Sequence, residues 1–483
     1  MASHFGRSTV VSALVVAALA PPVPAVAGPV DVYNLDARSA AMAGAQTARA
    51  DSPTTLFRNP SALVQTEGGV TAGFLGAVNR GEILLARRPE GFDIPDLGAR
   101  TPTVPSGQVP RSRRDTTNPP GLAGLMFGVT TSFGIDDFRA GFAIFVPTAG
   151  IFDVQTHFAD ERERLFSNQL NYDIVGGSTH RLDMSFGAAY RVTDWMSVGL
   201  GATFLPGARP QSEAFLPDVT DQSDLDLNAD IKSTNAWGVL GGLLIEPGSN
   251  VDLALSFRDA VSFDIKGRNR VRFGTGGATA GSATQEIDWT ISYSPAMVFA
   301  GSAVDIGDLT LQLDAKYARW SDYRDDHSND AGFHDTVSPK LGAEYALGDA
   351  TDVRAGLSFV PTPVPEQTGR TNYVDNHRIV TGLGAGHAFD VGEQSFEVEW
   401  GVQLHLLVPR THRKRVPSDP PDCGPGVSRL CDEVPDDTTD PETGRRYAAA
   451  QGLQTGNPGF PAYSSGGWLG AVNVEVTWLP DRE

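Results

Sequence analysis

Apolar and polar positions alternate with period two through Phe396–Val408. Phe396, Val398, Trp400, Val402, Leu404, Leu406 and Val408 fall on one parity, and Glu397, Glu399, Gln403 and His405 on the other. That period places the apolar set on one face of a β-strand. Thirteen residues exceed the ~5–6 of an ordinary globular strand and cover the ~9–11 that a tilted strand needs to cross a bilayer. Taken alone, the stretch fits one strand of a soluble sandwich equally well.

The same alternation recurs along the chain. It is clear in Leu182/Met184/Phe186/Ala188/Tyr190/Val192, in Val251/Leu253/Leu255/Phe257 and in Val472/Val474/Val476/Trp478. The pattern predicts fourteen strands, near 67–88, 121–133, 136–147, 179–192, 195–206, 232–246, 250–268, 285–303, 307–321, 335–348, 351–360, 376–390, 394–408 and 466–480. Their connections alternate between short turns, such as Thr193-Asp194 and Asp390–Glu393, and long loops, such as 148–178, 207–231 and 409–465. An up-and-down barrel with two unlike rims sorts its loops in this way. An apolar outer face in hydrocarbon requires every backbone polar group to be paired, so the sheet must close on itself. The fold class expected is all-β: a 14-stranded antiparallel transmembrane β-barrel. Trp195, Trp289, Trp320, Trp468 and Trp478 stand at strand ends and fit interfacial girdles.

Composition narrows the function classes. The 483 residues carry 53 glycines, 33 prolines, two cysteines and a formal charge of −20. That acidity argues against a nucleic-acid partner, which would need a basic surface. Arg7, the apolar run Val10–Ala20 and Ala25-Val26-Ala27 stand in the order of a secretory signal peptide over residues 1–27. Residues 28–65 lack strand alternation and contain the turn signals Asp51-Ser52-Pro53 and Arg58-Asn59-Pro60. They are expected to plug the polar lumen of a barrel formed by residues 66–483. No His-Glu-x-x-His, Gly-x-Ser-x-Gly or phosphate-loop motif occurs, so neither an enzyme nor a cofactor or metal is expected.

Several stretches resemble, in order, the FadL family of outer-membrane transporters for long-chain fatty acids and other hydrophobic compounds. Asp51–Val64, with Asn59-Pro60-Ser61, is similar to the Asn-Pro-Ala motif that ends the family's hatch. Trp237–Gly267 resembles its sixth and seventh strands, and Ser294–Tyr323, with Trp320-Ser321, its eighth and ninth. Thr362–Phe389, with Pro363-Val364-Pro365 and Asp375-Asn376-His377-Arg378, resembles the approach to its twelfth. The resemblance implies a monomer in the Gram-negative outer membrane, with surrounding lipid and the barrel assembly machinery as partners and hydrophobic small molecules as cargo. It implies passive uptake by capture at outer loops, rearrangement of the hatch and sideways release through the barrel wall. A general or selective porin is the alternative.

Candidate residues follow. Phe152, Phe158, Leu165 and Phe166 form an apolar cluster in a loop that faces water, and such clusters mark binding surfaces or pack the loop internally. Under the resemblance, Arg209 is a candidate for a fatty-acid carboxylate through two parallel hydrogen bonds, or for an ion pair with the acidic loop Asp218–Asp230. Asp375, His377 and Arg378 make either a structural charge cluster or a ligand contact. Arg58, Asn59 and Pro60 are expected to hold the hatch, Asn through backbone hydrogen bonds and Pro by fixing the turn. Gly141 and Pro147 are expected either to interrupt the third strand's ladder and open the wall sideways, or simply to end the strand. Cys423 and Cys431 lie in the longest outer loop, where a disulfide is expected.

Overall fold

The computed structural model describes residues 29–50, 52–85, 113–114, 122–148, 152–155, 157–158, 170–171, 178–207, 211–217, 224–233, 235–273, 281–324, 330–368, 373–413 and 462–480. Fourteen strands form one antiparallel ring: β1 Gly69–Leu85, β2 Ala123–Thr131, β3 Phe138–Pro147, β4 Asp183–Thr193, β5 Met196–Leu205, β6 Ala236–Gly248 and β7 Val251–Arg258. The circuit continues through β8 Ala296–Ile306, β9 Leu309–Arg319, β10 Thr336–Ala346, β11 Thr351–Val360, β12 Arg378–Val391, β13 Gln394–Arg413 and β14 Ala462–Leu479. β1 closes it, pairing with β14 from Val70↔Trp478 to Leu85↔Tyr463 and with β2 from Gly69↔Thr130 to Gly76↔Ala123. The ring has no free edge, which is what hydrocarbon demands.

Burial is inverted relative to a water-soluble protein. Trp400, Val402, Leu404 and Leu406 of β13 are exposed, while Glu399, Gln403 and His405 between them are buried. The same parity holds in β7, where Leu253, Leu255 and Phe257 face out and Asp252, Ser256 and Arg258 face in. Lipid solvates the outer set and the lumen holds the polar set. Replacing Leu255, 52% exposed on β7, with arginine is expected to cost about 2–4 kcal/mol in a lipid bilayer. In a soluble sandwich the same surface change stays within about 0.5 kcal/mol. Urea titration of the protein folded into vesicles measures the difference.

Two expectations need correction. The stretches 250–268 and 285–303 are not single barrel strands. The ring keeps Val251–Arg258 and Ala296–Ile306, and Val261–Phe273 and Gly281–Ser294 leave it to join Gln211–Pro217 and Asp224–Ser233 in a separate four-stranded sheet. Pro295 marks one break, since it has no N–H to give a ladder. Trp320 is not a girdle residue: it is buried in an aromatic cluster with Tyr293, Tyr323, Phe333 and Tyr373. Trp195 and Trp478 are exposed at strand ends, whereas Trp468 is exposed within β14.

The N-terminal segment lies inside the ring. A helical turn α1 (Pro29–Val32) leads to α2 (Ala37–Ala41), capped by Asp36, whose carboxylate accepts from Ser39 N at 2.6 Å. Two 3-10 turns follow, Pro53–Phe57 capped by Ser52 and Pro60–Gln65 capped by Asn59. Side chains of the wall hold this backbone. Asp314 Oδ2 accepts from Gln46 N and Thr47 N at 2.8 Å each, Glu475 Oε1 accepts from Ala37 N at 3.0 Å, and Asn473 donates to Asp36 O at 3.0 Å. Arg49 pairs with Asp252 at 2.5 Å and Asp305 at 2.7 Å.

Candidate functional site

Above this segment, toward the rim that carries the long loops, the register of β7–β13 brings one layer of inward side chains together. Arg258 pairs across with Met297, Phe299 with Lys316, Lys340 with Ser358, Val360 with Arg378 and Val380 with His405. With Asp31, Asn34, Leu35, Asp36, Phe57 and Arg58 from below, they line a cavity of about 710 Å³ including its open mouth. Its apolar walls are Leu35, Phe57, Met297, Phe299, Val360 and Val380. Met297 and Phe299 also belong to the buried aromatic cluster formed with Tyr293, Trp320, Tyr323, Phe333 and Tyr373. The cavity therefore abuts an aromatic layer.

Five cations line it against two carboxylates, Asp31 and Asp36. Three of the cations are engaged. Arg58 donates to Ser39 Oγ and Asn34 Oδ1 at 2.8 Å each, Lys340 Nζ donates to Gly44 O at 2.9 Å, and Arg258 pairs with Asp31. Lys316 and Arg378 have no hydrogen-bond or ion-pair partner among the described residues, and Arg378 Nε is buried without an acceptor. Arg378 is buried and Lys316 half-buried; a buried cation without a bonded partner is costly to the free protein, and an anion brought between the two relieves that cost.

The structure sorts the candidate residues. Arg378 and Arg58 line the cavity, whereas Asp375 and His377 do not. His377 Nδ1 accepts from Thr362 N at 3.1 Å, and its ring stacks on Phe359 at 5.7 Å. Asp375 is buried, and burial pushes its carboxyl up against the opposing pull of Arg378. Asn59 is fully buried; it donates to Thr47 O at 2.8 Å and accepts from Ser61 Oγ at 2.7 Å, while Pro60 opens the following turn. Gly141 does not interrupt the ladder: it pairs with Thr130 on one side and Gly187 on the other without a register shift. Its missing side chain instead admits Leu56 and Leu63 of the N-terminal segment, at 3.2 and 3.1 Å from an ideal Cβ. Pro147 pairs with Gly124 as the last residue of β3. Leu165, Phe166, Arg209, Cys423, Cys431 and the signal peptide lie outside the described residues; of Phe152 and Phe158 only the backbone, in short strands, is described.

Sequence reasoning missed Lys316, Arg258, Lys340 and Asp31. One signal was available. Gln312, Asp314 and Lys316 interleave with Leu311, Leu313 and Ala315, so a lysine falls on the lumen parity of a strand whose other face is in lipid.

A closed fourteen-stranded barrel with an apolar exterior, an occupied lumen and an amphipathic internal cavity defines an outer-membrane β-barrel protein. The family model of the outer membrane protein transport proteins (OMPP1/FadL/TodX) matches residues 16–406, and the chain belongs to this family in the outer membrane. It is 27% identical over 263 residues to the long-chain fatty acid transport protein of Escherichia coli K12. That match covers 45% of this chain and 59% of the relative, so it spans less than two thirds of the relative's length. Among solved structures, it is similar to a Pseudomonas aeruginosa FadL homologue with a TM-score of 0.57 at 14% identity, covering 95% of this chain and all of that one. The Pseudomonas putida toluene transporter TodX aligns with a TM-score of 0.50 at 13% identity over 92% of this chain and 97% of the other. At those identities the structures show the fold.

Proposed function

We propose that the protein carries anionic amphiphiles, with long-chain fatty acids as the representative substrate, passively inward across the outer membrane. The observation that carries this reading is the convergence of Lys316 and Arg378, neither with a bonded partner among the described residues, on a cavity walled by Phe57, Met297, Phe299, Val360 and Val380. A carboxylate headgroup meets the two cations while the acyl chain lies against the apolar wall and the aromatic layer. The long-chain fatty acid transport proteins among its relatives fit this choice, and the two cations favour it over a neutral hydrocarbon.

In this reading residues 28–65 are a hatch below the cavity, cargo is captured at the long loops, and release follows movement of the hatch. Sideways release at β3 would require its unbroken ladder to part. An open porin is disfavoured because the N-terminal segment contacts inward residues of most strands. No catalytic role is assigned. The barrel acts as a monomer inserted by the assembly machinery.

Binding of dodecanoate and of dodecanol to the protein in lipid nanodiscs tests the reading. The double substitution Lys316→Met with Arg378→Met is expected to weaken dodecanoate at least about tenfold, a loss of about 1.4 kcal/mol, and to leave dodecanol within about twofold. Equal dodecanoate binding by both proteins would remove the anionic headgroup from the account.

A further inference from the structure

One carboxylate of the cavity lining, Asp31, comes from the N-terminal segment and not from a barrel strand. Asp31 sits on α1, the four-residue turn at the start of the described chain. Its two oxygens are held from outside the segment as a bound carboxylate would be: Oδ1 pairs with Arg258 Nη2 of β7, and Oδ2 accepts from Ser294 Oγ, at the end of the strand that precedes β8, at 2.5 Å. Arg258 also donates to Ser294 Oγ, so the guanidinium and the hydroxyl form one receptor. Both Asp31 and Arg258 are 6% exposed in their side chains, and Ser294 is 1% exposed.

Resting on the anionic-amphiphile reading, we propose that Asp31 is an internal competitor that occupies the Arg258–Ser294 part of the anion site. Three observations carry it. Arg258 is on barrel strand β7, Ser294 ends a strand of the four-stranded sheet just before β8, and the carboxylate is on the N-terminal segment, so the contact ties that segment to elements outside it. α1 has no ladder of its own, and its four residues are too few for a stable isolated helix. A buried guanidinium stripped of its carboxylate is left strongly under-compensated, and an incoming headgroup supplies the missing charge. Asp31 thus sets the affinity: it neutralises Arg258 in the empty protein and must be displaced before a ligand can use that cation. Displacement frees α1 from the wall, so occupancy of the cavity is linked to the hold on the N-terminal end of the segment.

The test uses the full chain in lipid nanodiscs, with dodecanoate and dodecanol as probes and calorimetry as the readout. Asp31→Asn is expected to bind dodecanoate about tenfold more tightly than the unsubstituted protein, with dodecanol changed by less than about twofold. Asp31→Glu keeps the competing charge and is expected to stay near the unsubstituted affinity. Unchanged or weaker dodecanoate binding by Asp31→Asn overturns the proposal, and so does a parallel loss for both probes, which marks Asp31 as structural. The two readings fail differently. If Lys316→Met with Arg378→Met abolishes dodecanoate binding and Asp31→Asn does not tighten it, only the competitor role is lost. If no variant distinguishes dodecanoate from dodecanol, the anionic-ligand reading falls and this one with it.

Discussion

Replacing Gly356 with valine is expected to drive the N-terminal segment off its seat and turn a sealed barrel into a conducting pore. Gly342, Gly356 and Gly382 are cross-strand neighbours on β10, β11 and β12, and together they make a trough with no side chains. The segment lays its own backbone in it. An ideal Cβ on Gly356 falls 2.1 Å from Met42 C and 2.3 Å from Met42 O, and one on Gly382 falls 2.3 Å from Ala40 O. Backbone atoms cannot rotate away as a side-chain tip can, so an isopropyl group at Gly356 leaves only displacement of the segment or strain costing about 1–3 kcal/mol. The ring itself should survive, because a valine is well tolerated in a strand. Single-channel recording in planar bilayers reads the outcome: stable open steps for Gly356→Val, and none for Leu357→Val on the lipid face next to it. A sealed Gly356→Val barrel would show that the segment can shift by the required distance without losing its seat.

The trough also explains what the sequence reveals and what it hides. Strand existence and face were legible because lipid outside and polar groups inside impose period two on every strand. Loop lengths gave the two rims. The division of Val251–Phe273 was not legible, because alternation reports that a segment is extended and not which sheet it joins. Gly356 and Gly382 read in sequence as ordinary strand glycines. Their role appears only once the register sets them side by side against Met42 and Ala40. The cavity has the same character. Arg378 stood out because it closes the stretch Asp375-Asn376-His377-Arg378, whereas Arg258 and Lys316 come from strands far apart in sequence and meet only through the pairing of β7, β8 and β9. Asp31 was hidden for a different reason: nothing in a four-residue turn says which wall residue it will reach.

Removing the guanidinium of Arg354 is expected to cost about 3–5 kcal/mol, the usual penalty for breaking a buried ion pair from one side. Arg354 is 2% exposed and pairs with Glu344 of β10 and Glu399 of β13, with Asp352 at 3.7 Å. Glu344 in turn accepts from Arg38 of the N-terminal helix at 2.8 Å. Glu399 stands directly across the β13–β14 ladder from Glu475, the residue that accepts Ala37 N. Two arginines thus serve Glu344 and Glu399, with the buried Glu475 beside Glu399, and Arg354→Met removes the partner that Glu344 and Glu399 share. Loss should appear at two levels, as a lower urea midpoint in lipid vesicles and as faster proteolysis within residues 29–50. Arg354→Lys should rescue little, since a single ammonium cannot reproduce the fork that spans Glu344 and Glu399. Arg354→Met combined with Glu399→Gln should recover part of the loss, because neutralising Glu399 removes the charge that Arg354 compensated, and the double-mutant cycle gives the coupling directly. Additive losses in that cycle would mean that Arg354 acts through packing alone, and the charge network would then not be what fastens the helix to the barrel.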